Sequence, residues 1–329
     1  MPRYDLVVLG DANPDVVVSG APERLTFGQA ERTLSRATLT LGGSGALVAH
    51  AAARLGLRTA FVGLVGDDRA GDIAVGALSE AGVDVSAVRR EPGLPTAVTL
   101  VFTRPDGDRA ILTAPGSLSA FSPEHVDRAV LADAGHVHVT SLFLQPLLAP
   151  ALPELLTQAR AAGAVTSLDT NDDPTGRWSL DRDGLLPAVD YLLPNEREVV
   201  ALASGAAARA DTLVDMTRTL DAARSLAAHG PRVVVTCGAA GAVAVDGDRV
   251  LRVLLDPPSA PVADTVGAGD AFAAGIAWGI AQGLDLADTL RLAAAAGQLS
   301  TRLAGGADGQ PDAAETVRLA ERARVETVE

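Results

Sequence analysis

The sequence predicts an α/β fold: a mostly parallel central sheet with helices on both faces, plus a small β lid. Three observations carry this expectation. Short β-branched runs alternate along the chain with longer Ala/Leu-rich stretches of helical period, the pattern of strands joined by crossover helices. Two stretches break the alternation, look extended, and flank a Gly-rich run at 42–45. The 329 residues are 48% hydrophobic and 21% charged, with no internal repeat or low-complexity linker, so residues 1–329 are expected to form one domain carrying the lid.

Taken in order, Leu6-Val-Val-Leu9 is too short an apolar run for a signal sequence and reads as a first buried strand. Residues 16–19 and 33–40 read as extended. A helix over 45–55, a strand over 59–63 and a helix over 71–81 follow. Residues 96–103 and 109–113 form a hairpin through an Asp106-Gly107 turn, which places the lid at about 16–40 and 96–113. Helices are predicted over 123–131 and 147–162, and strands over 136–140, 165–168 and 191–193. Helices 196–203 and 217–228 precede strands 233–236 and 242–245, with Asp246-Gly247-Asp248 as a hairpin turn. Helices 270–283 and 286–303 close the alternation, and the acidic tail 318–329 reads as a solvated helix end. No window approaches the roughly 18 apolar residues needed to span a bilayer, so a cytoplasmic protein is expected.

Charge narrows the function. Acidic residues outnumber basic ones 41 to 27, a formal charge of -14, which repels nucleic-acid backbones and anionic lipid. Nucleic-acid and membrane partners are therefore not expected. The single cysteine, Cys237, cannot form an internal disulfide. All 27 basic residues are arginine. Without lysine there is no Walker A phosphate clamp, no protein-kinase strand lysine and no pyridoxal Schiff base. If the protein handles phosphate, then backbone N–H groups, helix N-termini, arginine or a metal must do the electrostatic work.

The strongest motif is Asp264-Thr265-Val266-Gly267-Ala268-Gly269-Asp270-Ala271-Phe272. Glycines bracketing an Ala, then an Asp opening a helix, leave backbone N–H groups unpaired at a positive dipole end, an anion cradle that needs no lysine. Asp270 beside that cradle suits a base facing a hydroxyl. Read alone, the same residues fit a tight turn with a capping Asp. A dinucleotide fingerprint fits worse, because Phe272 stands where Gly or Ala is needed.

Further segments bear on this choice: Gly42-Gly43-Ser44-Gly45-Ala46 with Ala53-Arg54-Leu55-Gly56, Gly63-x-x-Gly66-Asp67-Asp68, Pro105-Asp106-Gly107-Asp108-Arg109, Pro194-Asn195-Glu196-Arg197-Glu198, and Thr236-Cys237-Gly238-Ala239-Ala240-Gly241. In this order, with the 264–272 segment, the chain resembles the ribokinase-like (PfkB) carbohydrate kinases nearly end to end. The resemblance implies a ribokinase-like fold and an ATP-dependent kinase of a small neutral sugar. Asp270 would be the catalytic base, with Gly267, Ala268 and Gly269 as the anion hole for the transferring phosphoryl group. Asn195 would serve the nucleotide and, with Glu198, organise Mg²⁺ through water; Thr236, Gly238 and Gly241 would line the nucleotide. Asn13, Asp15, Gly42 and Gly43 would hold the sugar. Asp264, with carbonyls near Gly305-Gly306, leaves a K⁺ requirement open. The resemblance also implies a homodimer through the lid.

One position departs from the pattern: Leu47 stands where the family usually has Asn, removing a polar contact to the acceptor. Either the substrate is more apolar on that side or another residue supplies the contact. Leu47 and a lid bearing Val98, Leu100 and Phe102 keep an adenosine-type nucleoside kinase as the alternative, beside a catalytically silent sugar-binding regulatory protein. Phosphorylated acceptors rank below these. His136 and His138 share one strand face but lack a third ligand at a recognisable spacing. Asp169, Asp172 and Asp173 are expected to be solvated loop acids, and Cys237 buried and inert.

Overall fold

A computed structural model describes residues 2–22, 27–29, 31–104, 109–206, 215–258 and 261–328. Among these, ten strands form one large sheet. Its order is β14 (Arg324–Thr327), β13 (Arg249–Leu254), β12 (Ala242–Asp246), β11 (Arg232–Thr236), β10 (Tyr191–Leu192), β9 (Val165–Leu168), β8 (His136–Val139), β1 (Leu6–Leu9), β4 (Thr59–Gly66) and β5 (Val88–Glu91). The strands from β11 across to β5 pair in parallel, while β11 to β14 run antiparallel as an edge. A second sheet has the order β3 (Arg36–Gly42), β2 (Asn13–Ser19), β6 (Val98–Thr103), β7 (Arg109–Ala114).

The two-residue period of β1 divides the core. Leu6 and Val8 point to one face, packing with α1 (Ser44–Arg54), α2 (Arg69–Glu80), α8 (Ala268–Ala281) and α9 (Leu286–Ser300). Val7 and Leu9 point to the other, against α5 (Leu152–Ala161), α6 (Glu196–Ser204) and α7 (Met216–Ala227). Shorter helices α3 (Gly116–Ala120) and α4 (Arg128–Ala132) follow the small sheet, and α10 (Ala313–Ala320) packs Ala320 on Leu292 and Ala295 of α9. Because β1 is buried on both faces, its run is uniformly apolar rather than alternating. Among the described residues no helix is long and apolar enough to cross a membrane.

Most sequence-derived elements stand within a few residues, but three differ. The helix expected over 123–131 is broken: a 3₁₀ turn at Pro123–His125 gives way to extended Val126, and Asp127 caps the short α4 through the Ala129 N–H. The stretch 147–162 opens with a 3₁₀ turn at Ala149–Ala151 before α5, with Pro150 and Pro153 each near a helical start where a missing N–H costs nothing. The acidic tail is not a helix end throughout: after α10 it turns and pairs as β14 against β13. Strands β5 and β13 and helices α3 and α10 were not anticipated. The expected Asp106-Gly107 turn lies outside the described residues.

Candidate active site

Several carboxyl ends of the parallel strands open on one side, as expected for such a sheet. Asp169 follows β9, Asn195 follows β10, Thr236 ends β11, and the start of α8 brings Gly269 and Asp270 to the same place. Together with Asn171, Leu193, Glu198 and Phe272 they line a cavity of about 180 Å³. Five sequence-predicted residues therefore meet here: Asn195, Glu198, Thr236, Gly269 and Asp270.

The start of α8 is built by glycine. Gly267 has φ of 75°, and a Cβ there would stand 2.7 Å from the Gly306 carbonyl oxygen. Gly269 has nothing within 4 Å of such an atom, so this side of the turn is open. The Ala268 N–H bends back to the Thr265 carbonyl at 3.3 Å, which withdraws it in part from the predicted cradle.

Asp270 accepts a hydrogen bond on Oδ1 from the Ser44 hydroxyl. One side of Asp270 opens on the cavity, yet the carboxyl is walled by protein, and burial pushes it well above the usual carboxylate range. The Ser44 bond opposes this, while Asp169, Asp11 and Asp15 add to it.

Asn195 and Glu198 form a reciprocal cap on α6: Asn195 Oδ1 accepts from the Arg197 and Glu198 N–H groups, and Glu198 Oε2 accepts from the Asn195 N–H at 2.9 Å. Glu198 retains some solvent-accessible surface but is closely ringed by protein, and burial pushes its carboxyl up, with the Asp169 charge adding. Asp169 is itself raised by burial. The expectation that 169–173 are solvated acids is corrected for two of them: Asp169 and Asp173 are buried, and only Asp172 is exposed. Asp173 is occupied in capping its own loop through the Thr175 and Trp178 N–H groups.

The predicted acceptor residues lie beside this cavity, on the small sheet and the start of α1. Asn13 pairs with Gly42 across β2 and β3, and its amide donates to Asp15 Oδ1 at 2.8 Å. A Cβ on Gly42 would stand 1.9 Å from Asp15 Cγ, so only glycine lets the carboxyl lie against the strand. Asp15 is pushed up to about 7, first by burial and then by the Asp11 charge. Gly43 is the N-cap of α1.

Of the nucleotide-segment residues, Gly238 and Gly241 form the turn between β11 and β12 but do not line the cavity. Cys237 is buried, and burial raises its thiol to about 11, so no thiolate forms at neutral pH. His136 and His138 share the Ser167 hydroxyl at 2.6 and 2.7 Å, and burial holds both near 3. Leu47 does not line the cavity; it is 3% exposed in the core.

Asp264, the residue on which a K⁺ requirement was left open, is held by protein groups. Its Oδ1 accepts from the Val266 N–H at 3.0 Å and lies 3.6 Å from Arg109 Nη1, and its Oδ2 accepts from the Gly305 N–H at 3.2 Å. Sequence reasoning missed Asp11 and gave Ser44 no role. Both were visible in part, Asp11 as an acid just past an apolar strand and Ser44 inside the Gly-rich run.

The family described as pfkB family carbohydrate kinase matches residues 3–313. A 1-phosphofructokinase of Rhodobacter capsulatus is 36% identical over 87% of this chain and 86% of that protein. An ATP-dependent ribose-1-phosphate kinase of Halopiger xanaduensis is 33% identical over 95% of this chain and 97% of its own length. The structure of Arabidopsis thaliana ribokinase complexed with ribose and ATP superposes with a TM-score of 0.82 at 28% identity, covering 97% of this chain and 99% of that one.

Proposed function

Because the chain belongs to the pfkB family of carbohydrate kinases, and is thereby an ATP-dependent carbohydrate kinase, we propose that it phosphorylates a hydroxyl of a small neutral sugar. In this reading Asp270 takes the hydroxyl proton as the sugar oxygen attacks the γ-phosphorus and the bond to ADP breaks. Burial, which raises the Asp270 pKa above that of an ordinary carboxyl, makes it a stronger base for that task. The Gly267 and Gly269 N–H groups, at the positive end of α8, face the charge that develops on the transferring group. Thr236 and Asn195 border the nucleotide side, with the 238–241 turn beyond them.

Asp169 and Glu198, two carboxyls facing one cavity and both raised by burial, suit a divalent cation. Glu198, with Asn195 beside it, would hold Mg²⁺ through water, consistent with an ion that keeps much of its hydration shell. When bound, Mg²⁺ would offset phosphate charge. K⁺ has no place in the reading, since Asp264 is taken.

The observation that carries the proposal is the contact between Ser44 and Asp270, which joins the start of α8 to the 42–45 run beside Asp15. The acceptor side is acidic, which favours a neutral ligand over a phosphorylated one. Thr99 lies within reach of the Asn13 amide, so Val98, Leu100 and Phe102 point to the opposite face of β6. That supports a sugar over a flat nucleoside. A second reading, a sugar phosphate as acceptor, draws on the two relatives named for phosphorylated sugars.

The small sheet serves as a lid in this reading. Asp15, Thr40, Thr99 and Thr113 form a polar row on one face, and Leu39, Val16, Leu100 and Leu112 an apolar row on the other, which a second copy of the chain would cover. A cytoplasmic setting, where ATP is supplied, belongs to the same proposal. The test is ADP release with ATP and Mg²⁺ over ribose, fructose, 2-keto-3-deoxygluconate, adenosine, ribose 1-phosphate and fructose 1-phosphate. Turnover on a neutral sugar that Asp270→Asn abolishes is expected. Turnover confined to adenosine or to the phosphorylated acceptors would overturn the neutral-sugar assignment.

A further inference from the structure

Asp11 is a buried carboxylate directly past the carboxyl end of β1, and it meets four donors. Its Oδ2 accepts from the Ser44 N–H at 3.0 Å. Its Oδ1 accepts from the Gly45 N–H at 3.0 Å, the Thr140 hydroxyl at 3.0 Å and the Ser141 hydroxyl at 2.9 Å. Two of these donors are the orphan amides at the start of α1, where a negative charge is also favoured by the helix dipole. The first residue of α1 is therefore held by its backbone while its side chain is spent elsewhere, since the Ser44 hydroxyl donates to Asp270 Oδ1. A serine hydroxyl has one proton to give. With that hydrogen bond made to Oδ1 of the ionised carboxylate, its other oxygen remains to receive a proton from the acceptor.

We propose that Ser44 is the positioning residue for Asp270, fixing one carboxylate oxygen so that the other faces the sugar hydroxyl, and that Asp11 anchors Ser44 for this role. The inference rests on the reading of Asp270 as the base. It adds two residues, on β1's outlet and on α1, to a reaction otherwise assigned to α8. The carboxyls that face Asp270 from other elements are Asp169, Asp11 and Asp15, and they are common to every variant below except the one at Asp11.

The test compares Ser44→Ala, Ser44→Thr, Asp11→Asn and Asp270→Asn in the full chain, by ADP release with the best acceptor across pH, with thermal melting as the folding control. Loss of one hydrogen bond to a charged group predicts that kcat of Ser44→Ala falls roughly 10- to 100-fold. KM for ATP should stay unchanged. The acidic limb of the kcat profile should move to higher pH, because a donor that favoured the charged carboxylate is gone. Ser44→Thr keeps the hydroxyl and should restore both rate and limb. Asp11→Asn should lower kcat as Ser44→Ala does, but it also removes a like charge that raises Asp270, so the limb is read from the Ser44 pair, which alone decides the matter if Asp11→Asn does not fold. An inactive Asp270→Asn beside a Ser44→Ala enzyme of unaltered rate and pH limb would overturn this inference while leaving the base reading intact. So would a slow Ser44→Ala enzyme whose limb does not move or which Ser44→Thr fails to rescue. An Asp270→Asn enzyme that still turns over would instead sink the base reading itself.

Discussion

Leu47 packs against Gly306: a Cβ on that glycine would stand 2.7 Å from Leu47 Cδ1 and 3.4 Å from Val266 Cγ1. The side chain thus fills the space behind the turn that opens α8. The family's polar residue is replaced here by packing. Leu47→Asn would bury an amide among apolar neighbours, at a cost of about 1–3 kcal/mol. A lowered melting temperature with an unchanged acceptor KM is expected. A lowered KM would show that residue 47 can reach the ligand after all.

Gly267 answers to a different constraint. Its positive φ and its contact with the Gly306 backbone both exclude a side chain. Gly267→Ala adds the left-handed penalty of about 1–2 kcal/mol to a clash that must shift the turn. The expected outcome is a lower melting temperature together with a kcat loss larger than the stability change accounts for. Retained kcat in a destabilised variant would place the phosphoryl group elsewhere.

Stability should fall as pH rises from 6.5 to 8.5 in the absence of divalent metal. Asp15 has a folded pKa near 7 against an ordinary value of 3.8, so between these the folded state binds the extra proton, and the stability this confers is lost as pH climbs through 7. Asp15 alone contributes about 1 kcal/mol over that window. Glu198, raised in the same sense, steepens the fall. His136 and His138, held near 3 when folded, are half protonated at pH 6.5 when unfolded, so they add stability up to about pH 7.5 and offset part of the fall there, leaving it clearest above that pH. Thermal melts of the wild type and Asp15→Asn check this: the variant should show the flatter profile, and added Mg²⁺ should flatten that of the wild type.

Asp264 already has an arginine at 3.6 Å and two amide donors. Turnover rates in K⁺, Na⁺ and a bulky organic cation at equal ionic strength should therefore agree. Severalfold activation by K⁺ would show that the Arg109 contact gives way to the ion.

Much of the site was legible because chemistry that uses backbone leaves a compositional trace. The 264–272 segment combines glycines, a turn and a helix-opening acid, and the structure puts Gly269 and Asp270 on the cavity with Asn195, Glu198 and Thr236. Asp169 was misread because a run of loop acids carries no signal of which one the fold encloses. Helix 123–131 was misread because apolar period alone does not register that Asp127 caps a new start.

The amino-acid order by itself determined the alternation of strands and helices, the glycine-built turn that opens α8 and the β hairpin, since these follow from local period, backbone freedom and turn chemistry. Only the tertiary structure decided that Ser44 meets Asp270 across 226 positions, that Asp11 holds the first turn of α1, and that Leu47 faces Gly306. Such contacts depend on how α1 and α8 pack on the same face of β1, and no local pattern in either helix encodes the side chains that the other will present.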